Sequence, residues 1–340
     1  MATLAHLVET TLSGQALAGS FVPENNNEGF TDAASLTTVT LVNKDQEIIA
    51  FGAAALYAKT AIYCSVDAVS EKYRNHTFWI DETTDKEEKN TRVYKAVKEI
   101  PHLLKPDHQN QFETVFFEED GKPAFTHVFE KLVDSTIGLH QLDTEKNVTV
   151  DVCADNEGDL ASSVEMWRDT VGAIVSDRNK YHLCDVNRFE LLGLDDDKTT
   201  VQLEKLNEEN LLDLLDYDAE VSVFDREKHL TAMIKTSGAF GFVARQDNQV
   251  TGYGLALRNR ILQCYGENEE TVKQLLATLA AEIMNSEVTM CIREDSFPVM
   301  TDLLKKSVKT TRIIRLHTRT HPSGIKWSKV ACPNMGLHLF

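Results

Sequence analysis

The chain has 340 residues, of which 42% are hydrophobic and 26% are charged, and its formal net charge is −18. One hydrophobic core seldom serves this length, so two domains are expected. The negative charge argues against bulk nucleic-acid binding, which depends on neutralised phosphates. No run of about 18 apolar residues occurs, so no membrane span is predicted. The first residues lack the basic and apolar regions of a signal peptide, so a cytoplasmic location is expected, with the nucleus left open.

The six cysteines are scattered along the chain, and no two of them form a Cys-x-x-Cys pair. This spacing predicts neither a zinc site nor a disulfide framework, and we expect no metal site. Several cysteines fall in apolar runs, which favours buried thiols that pack like small hydrophobic residues. They are Cys64, Cys153, Cys184, Cys264, Cys291 and Cys332.

Apolar runs separated by polar turns organise the first half of the chain. Most of these runs are short and strand-like, and an Asp-Gly turn predicts a hairpin in the middle of this half. The predicted elements are a weakly helical Met1–Gly19, strands Thr37–Val42, Ile48–Leu56 and Ala61–Val66, helix Val93–Leu104, strands Phe112–Phe117 and Ala124–Phe129, strand Val148–Val152 and helix Leu160–Val175.

The stretch from Phe240 to Glu282 organises the second half. It contains three apolar runs, and a Gln-Asp-Asn turn joins the first two into a hairpin. After Gly266 and an acidic cluster, apolar residues at helical spacing predict an amphipathic helix. The order is therefore strand, turn, strand, strand, glycine, helix. The strands are Gly241–Arg245, Val250–Leu257 and Ile261–Tyr265.

Further elements are predicted on both sides of this stretch. Polar residues near Asp195 mark a boundary, so the expected domains are residues 1–190 and 195–340. The flanking elements are helices Leu206–Tyr217 and Arg226–Lys235, strand Glu287–Ile292, helix Phe297–Lys306 and strand Thr311–Thr318.

The order of elements resembles the centre of a GNAT-type N-acetyltransferase. Segments at 215–218, 223–226, 315–318 and 322–330 resemble those of the YitH/HolE-type branch of that family, and the resemblance covers roughly residues 206–330. It implies an α/β fold, with a mostly antiparallel mixed sheet flanked by helices. In that family acetyl-CoA lies beside the third strand, and its pyrophosphate sits on the amides that open the helix.

A second copy of the hairpin occurs in the first half. The sequences beginning at Val42 and Ala244 align without a gap at an offset of 202 residues, which pairs Asp45 with Asp247. We interpret this as an internal duplication, so that two GNAT-like units stand in tandem. The first unit lacks the glycines that the family places before the helix. Its stretch 71–79 contains Phe78 and Trp79 instead, and we expect it not to bind acetyl-CoA.

The resemblance assigns cofactor-binding residues in the second unit. Backbone amides of the third strand would polarise the thioester carbonyl, and the loop opening the helix would hold the pyrophosphate. That loop has one glycine and three glutamates, and carboxylates at a helix start stabilise the helix but repel phosphate. A helix cap and a cofactor loop therefore both remain open. The expected cofactor-binding residues are Gln263, Cys264, Tyr265, Gly266, Glu267, Asn268, Thr271 and Val272.

Acetyl transfer to an amine also needs a base and a hydroxyl that protonates the leaving thiolate. Asp218 is the expected base, although it equally suits a cap at a helix end. Ser296 and Tyr265 are the nearest hydroxyls to the expected site, and Ser296 equally suits a helix N-cap. Other base candidates are Asp225, Glu267 and His317, of which His317 is more simply a packed or surface histidine.

The resemblance implies an acetyl-CoA-dependent N-acetyltransferase whose C-terminal unit is the competent one. The acceptor would be a small-molecule amine or a protein amino group, and no nucleic acid or membrane partner is expected. The alternative is a non-catalytic GNAT-fold scaffold or ligand-sensing protein, because both phosphate loops are poor in glycine. A homodimer remains open, since sheets of this family often exchange C-terminal strands.

Overall fold

A computed structural model describes residues 36–69, 71–73, 76–81, 86–88, 91–101, 121–138, 146–154, 157–195, 199–234 and 238–333. Strands dominate these ranges. They are β1 Leu36–Val42, β2 Ile48–Ala58, β3 Ala61–Val69, β4 His76–Ile80, β5 Lys86–Glu88, β6 Thr91–Pro101, β7 Lys122–Pro123, β8 Asn147–Ala154, β9 Val175–Ser176, β10 Tyr181–Asn187, β11 Gln202–Lys205, β12 Ala239–Gln246, β13 Gln249–Leu257, β14 Arg260–Gly266, β15 Glu287–Arg293, β16 Lys309–His317 and β17 Val330–Cys332.

The helices of the described ranges are fewer than the strands. No helix there is long and apolar enough to cross a membrane. They are α1 Ala124–Thr136, α2 Glu157–Val171, α3 Arg188–Leu192, α4 Leu211–Val221, α5 Glu227–Ile234, α6 Glu269–Glu282 and α7 Pro298–Lys305.

The two halves of the chain repeat one topology. In the N-terminal unit, β1, β2 and β3 form an antiparallel meander, α1 packs on it, and β8 joins β3 in parallel. In the C-terminal unit, β12, β13 and β14 form the same meander, α6 packs on it, and β15 joins β14 in parallel. The N-terminal unit carries an insertion, β4 to β7, between its third strand and its helix. The predicted mixed α/β fold with two similar units is confirmed.

The two hairpins differ by one residue in the turn. Val42 pairs with Ile48 in the first hairpin, whereas Arg245 pairs with Val250 in the second, so the first loop is one residue longer. Asp247 and Asn248 both have positive φ, which suits a tight two-residue turn. Each hairpin also carries a bulge on its second strand beside the turn. The duplication is therefore visible in the strand order, and the gap-free alignment misplaces one turn residue.

Strand exchange joins the two units into a continuous sheet. β10, which follows the N-terminal unit in sequence, lies between β15 and β16 and pairs with both in antiparallel fashion. β16 pairs on its other side with β8 of the N-terminal unit, where His317 faces Thr149. A boundary near Asp195 therefore separates β10 in sequence from the two strands that it joins in space.

Three large apolar clusters form the core. One lies under α1 in the N-terminal unit, and another lies under α6 in the C-terminal unit. The remaining cluster is shared, because Phe51 and Tyr63 of the first unit pack with Tyr217 and Tyr253 of the second. The two units thus bury apolar surface against each other as well as sharing a sheet.

Two predicted elements of the first half are wrong. Residues predicted as helix Val93–Leu104 form strand β6 up to Pro101, and the predicted strand Ala124–Phe129 lies inside α1. A short apolar run does not by itself distinguish a strand from a buried helix. Here Phe125 and Phe129 lie one helical turn apart, and both rings meet Trp167 of α2 edge-on, which favours the helix. The predicted elements at 1–19 and 112–117 lie outside the described residues.

The remaining predicted elements are confirmed, with shifted ends. Sequence reasoning missed β11, a short polar strand that pairs with β12. It also began the following helix too early, because Asn210 accepts the amide of Asn207 in a turn before α4. Five cysteines are free and buried, as expected, and the described residues hold no cluster suited to a metal ion.

Candidate functional site

The candidate site lies where β14 and β15 separate. The two strands pair in parallel at Arg260 and Ile261 of β14, opposite Thr289 and Met290 of β15. Beyond Ile261 they diverge. The outer edge of β14 from Leu262 onward is thus the place where the resemblance expects the cofactor.

This edge is occupied by the chain itself. β17 pairs with β14 in antiparallel fashion, with Cys332 opposite Cys264 and Val330 opposite Tyr265. Ala331 and Cys332 have no solvent exposure. Backbone groups of the third strand therefore bond within the protein at the position where the family uses them for acetyl-CoA.

The residues that precede β17 are also held in place, and we call residues 325–333 the closing segment. The amide of Lys326 donates to the Val221 carbonyl at 2.9 Å, and Arg293 Nη2 donates to the Trp327 carbonyl at 2.6 Å. Lys329 forms ion pairs with Glu267 and, at 3.7 Å, with Glu220. These contacts attach the segment to α4, β15 and the loop before α6.

The loop before α6 is built as a helix cap. The Asn268 side chain accepts the amide of Thr271 at 2.9 Å, which satisfies one of the free donors of the first turn. The carboxylate of Glu269 accepts the amide of Val299, and that of Glu270 accepts the hydroxyl of Thr199 at 2.6 Å. Side chains of the protein thus satisfy one amide of the first helical turn and fix two carboxylates beside it.

Packing accounts for Gly266 and for the two apolar positions that follow it. A Cβ on Gly266 would lie 3.0 Å from the side chain of Val272, so the loop and the first helical turn are in close contact. Thr271 and Val272 are buried. These expected cofactor-binding residues therefore lie together, but their side chains face the core.

A polar network lies buried beneath β14. Tyr253 donates its hydroxyl to Asp218 Oδ1 at 2.5 Å and accepts from Gln263 Nε2 at 2.7 Å. Arg226 donates to Gln263 Oε1 at 2.8 Å and to the Tyr265 hydroxyl at 2.9 Å, and its Nε lies 3.6 Å from Asp218 Oδ2. The structure thus brings together Asp218, Gln263 and Tyr265, three of the predicted site residues.

Burial sets the proton affinities in this network. Burial raises the pKa of Asp218, and the Arg226 charge and the Tyr253 hydroxyl only partly offset it. Burial raises the pKa of Tyr265 as well, so its hydroxyl stays protonated at neutral pH. A carboxyl with a raised pKa suits a general base. Asp218 is only 2% exposed, however, and its contacts are those of a structural ion pair.

The free space beside the network is small. A cavity of about 10 Å³ is lined by Arg226, Tyr265, Arg315, Trp327 and Val330, among others. That volume has room for about one water molecule. This cavity is therefore too small to hold an acetyl group and an amine.

The other predicted catalytic candidates are apart from this network. Ser296 donates its hydroxyl to the carbonyl of Arg293 at 3.0 Å, and Phe297 occupies the N-cap of α7 without a side-chain cap, so the N-cap interpretation of Ser296 is wrong. Asp225 accepts the amide of Glu227 at the start of α5. Asp218 lies inside α4 rather than at a helix end, so its cap interpretation is wrong as well.

A second buried cluster, which sequence reasoning did not assemble, lies between β8 and β16. Arg315 donates through Nε and Nη2 to both oxygens of Asp151, at 2.8 and 3.1 Å. His317 Nδ1 and the Thr149 hydroxyl are 2.8 Å apart, and His317 Nε2 lies 3.7 Å from Asp177. The partners come from distant parts of the chain, so no local sequence motif predicts these contacts.

The corresponding loop of the N-terminal unit is covered by its insertion. The Phe78 carbonyl lies 2.7 Å from His127 Nε2 in the first turns of α1, and it would touch a Cβ on Gly121 at 2.8 Å. β4 therefore packs against the start of α1, where a phosphate loop is expected.

Two family models match the chain. Residues 214–315 match an acetyltransferase (GNAT) domain, and residues 21–175 match a domain of unknown function, DUF7596. The GNAT match runs from α4 into β16 and ends before β17. Residues 214–315 are thus similar to a GNAT-type domain, whereas the assignment to the YitH/HolE-type branch stays a prediction. None of the curated proteins matches the chain.

Several solved structures are similar at low identity. A putative acetyltransferase from Pyrococcus horikoshii is 15% identical, with 87% of this chain and 78% of that chain covered and a TM-score of 0.47. A tandem GNAT protein from the clavulanic acid biosynthesis pathway is 10% identical, with 83% and 82% covered and a TM-score of 0.44. A functionally unknown conserved protein from Staphylococcus epidermidis is 13% identical, with 57% and 81% covered and a TM-score of 0.41.

Proposed function

We propose that the protein is a GNAT-fold binding or scaffold protein whose C-terminal unit does not use acetyl-CoA. The observation that carries this proposal is the pairing of β17 with the outer edge of β14. The alternative of a catalytic C-terminal unit requires that same edge for the cofactor. One strand edge serves one partner at a time.

We call the space between β14 and β15, where the two strands separate, the groove. Opening the groove to a cofactor would cost free energy. The cofactor would have to displace β17, which exposes Val330, Ala331 and Cys332 to water, all of them buried. Exposing the buried Val330 side chain costs roughly 1.5 to 3 kcal/mol, and the Ala331 methyl group adds about 1 kcal/mol or less. Backbone hydrogen bonds of β17 would be lost as well. A cofactor gains no net affinity from an edge that the protein already satisfies.

The loop before α6 opposes phosphate independently. Glu269 and Glu270 stand in the first turn of the helix, and the cap of Asn268 already holds the amide of Thr271. Negative side chains there repel a pyrophosphate. Lys329, the cation nearest this loop in the closing segment, is engaged by Glu267.

The test is a calorimetric titration of acetyl-CoA into the full chain, combined with hydrogen exchange measured by mass spectrometry. We expect no heat of binding at millimolar acetyl-CoA and no added protection of β14 or the loop before α6. CoA alone and buffer serve as controls. Micromolar binding with new protection at 262–272 would contradict the proposal.

A second candidate function is an acetyl-CoA-dependent N-acetyltransferase that works through the N-terminal unit. One observation favours it: β3 pairs in parallel with β8 only from Ala61 to Tyr63, as β14 does with β15 over two residues, although β4 packs against the start of α1. The acceptor would be a small-molecule amine or a protein amino group. The same hydrogen-exchange experiment separates the two, because this candidate predicts acetyl-CoA protection of β3 and not of β14.

A further inference from the structure

Two cysteines face each other across the strands that close the groove. Cys264 of β14 and Cys332 of β17 are directly opposed in the antiparallel pair. Both side chains belong to the apolar cluster under α6, together with Val272 and Leu275, so they point to the same side of the sheet. Both thiols are free and buried.

This arrangement suits a cross-strand disulfide. Directly opposed residues of antiparallel strands have Cα atoms about 4.5 to 5.5 Å apart and side chains on one face. A disulfide needs Cα atoms roughly 4.4 to 6.8 Å apart. Cys264 and Cys332 lie beside a bulge in the strand pair, and the Cα separation expected of opposed residues falls within the range of a disulfide.

We propose that Cys264 and Cys332 are a redox pair whose disulfide locks β17 onto β14 and so fixes the closed groove. A peroxide is the oxidant that the proposal names. The two thiols lose two protons and two electrons, one S–S bond forms, and the O–O bond of hydrogen peroxide breaks to give two water molecules. A dithiol reductant reverses the change.

The buried setting controls the rate of this reaction. Burial raises the pKa of both thiols, and the thiolate is the reactive form. The pair is therefore protected while β17 is docked, and it reacts when the closing segment leaves the sheet transiently. Peroxide then oxidises one thiol to a sulfenic acid and leaves as one water molecule; when the segment returns, the other thiol attacks that sulfur, a second water molecule leaves and the S–S bond forms. The inference rests on the same closed groove as the proposed function.

The chain offers a matched control pair. Cys184 of β10 and Cys291 of β15 also lie on adjacent antiparallel strands and are buried. They are out of register by one residue, since Cys184 faces Met290 and Leu183 faces Cys291. Their side chains therefore point to opposite faces of the sheet, and the two sulfurs lie in different clusters.

The experiment treats the full reduced chain with hydrogen peroxide, quenches free thiols and maps disulfides by mass spectrometry. We expect a Cys264–Cys332 crosslink and none between Cys184 and Cys291. The midpoint of thermal unfolding should rise by about 5 °C on oxidation and return after reduction. The variant Cys332→Ser should lose both the crosslink and the shift.

We call the proposed Cys264–Cys332 disulfide the lock. Three results would overturn the lock: no Cys264–Cys332 crosslink in the wild-type chain, an equal yield of a Cys184–Cys291 crosslink, or a Cys264–Cys332 crosslink that forms only in denaturant. The mapping uses the wild-type chain, so it stays decisive if Cys332→Ser fails to fold. The acetyl-CoA titration of the reduced chain tests the proposed function separately. A chain that binds no acetyl-CoA and forms no crosslink overturns the lock alone.

Discussion

The third strands of the two units, β3 and β14, hold equivalent positions but have different neighbours. Both follow an antiparallel meander, and both pair in parallel with a later strand over two or three residues. Beyond that point β14 carries β17, whereas β3 has no partner strand on that edge within the described ranges. Copies of one topology have thus diverged at the edge where the fold family binds its cofactor.

This difference shows that a match to a fold family does not establish that the cofactor site of that family is open. The match to a GNAT domain covers residues 214–315, which set the strand order. The closure comes from residues 325–333, which lie outside that match. A three-residue strand, two residues of which pair with β14, is enough to occupy the strand edge where this fold family binds its cofactor.

The largest effect is expected from separating the units. Residues 199–340 expressed alone should not fold, because they lack β10, the strand that lies between β15 and β16. Circular dichroism and urea unfolding measure this. Co-expression with residues 1–195 should restore a soluble complex. A fragment that unfolds cooperatively by itself would show that the two units are independent.

The second-largest effect is expected at the buried ion pair between Arg315 and Asp151, which joins the two units. Arg315→Met should lower the free energy of unfolding by about 3 to 5 kcal/mol, because it leaves the Asp151 carboxylate buried without its partner. Urea unfolding measures the change. Arg312→Met, at an exposed position of the same strand, is the control and should change stability little. A similar loss in both variants would contradict a special role for the pair.

The three-stranded meander at the centre of each unit could be predicted from the sequence, because turn residues and apolar runs are local signals. The Gln-Asp-Asn turn and the apolar runs beside it identified the second hairpin, and the alignment at an offset of 202 residues identified its copy. The helix after Gly266 followed from 3.6-residue spacing. Local chemistry determines these elements, so a reading of neighbouring residues recovers them.

The closure of the site could not be predicted in this way. Val330–Cys332 is three residues long and carries no turn or periodicity signal that identifies its partner strand. The cluster of Asp151, Arg315 and His317 likewise depends on strands that meet only in the folded chain. Ser296 and Asp218 were chosen as residue types near an expected site, and burial decided their actual roles.

A steric test addresses the close approach of β13 and β14. Gly252→Ala should lower the free energy of unfolding by about 1 to 3 kcal/mol, because a Cβ there collides with the Tyr265 carbonyl and lies 2.9 Å from the Gly266 Cα. Differential scanning calorimetry measures the change. Gly193→Ala is the control, since its nearest neighbour is 3.4 Å away and its φ is −71°. Equal effects would contradict this packing argument.

Acid should weaken the junction between the units. Burial lowers the pKa of His317, although Asp177 opposes this, and Arg315 and His321 add to it. Below the unfolded value near 6.5 the unfolded chain takes up a proton that the folded chain resists. The free energy of unfolding should therefore fall from pH 7 to pH 5, by at most about 1.4 kcal/mol per pH unit for one group.

Urea unfolding at several pH values checks this. The variant His317→Asn keeps a polar partner for Thr149 but has no titrating ring, so its pH dependence in this range should be shallower. The pKa of Asp177 is lowered, so Asp177 changes the free energy of unfolding only below pH 5. It therefore does not affect the comparison of the two proteins between pH 7 and pH 5. An unchanged slope in His317→Asn would assign the acid sensitivity to other groups.

The smallest effect is expected at the ion pair that holds the closing segment. Lys329→Met removes a partly exposed contact to Glu267, and such pairs contribute under about 1 kcal/mol. Global stability should therefore barely change, while amides of β17 exchange about two- to fivefold faster. Lys72→Met, which removes an exposed pair with Glu47 in the N-terminal unit, is the control and should leave β17 unaffected. Unchanged exchange of β17 in Lys329→Met would mean that strand pairing and buried apolar contacts alone keep the groove closed, and the two third strands would then differ only in those contacts.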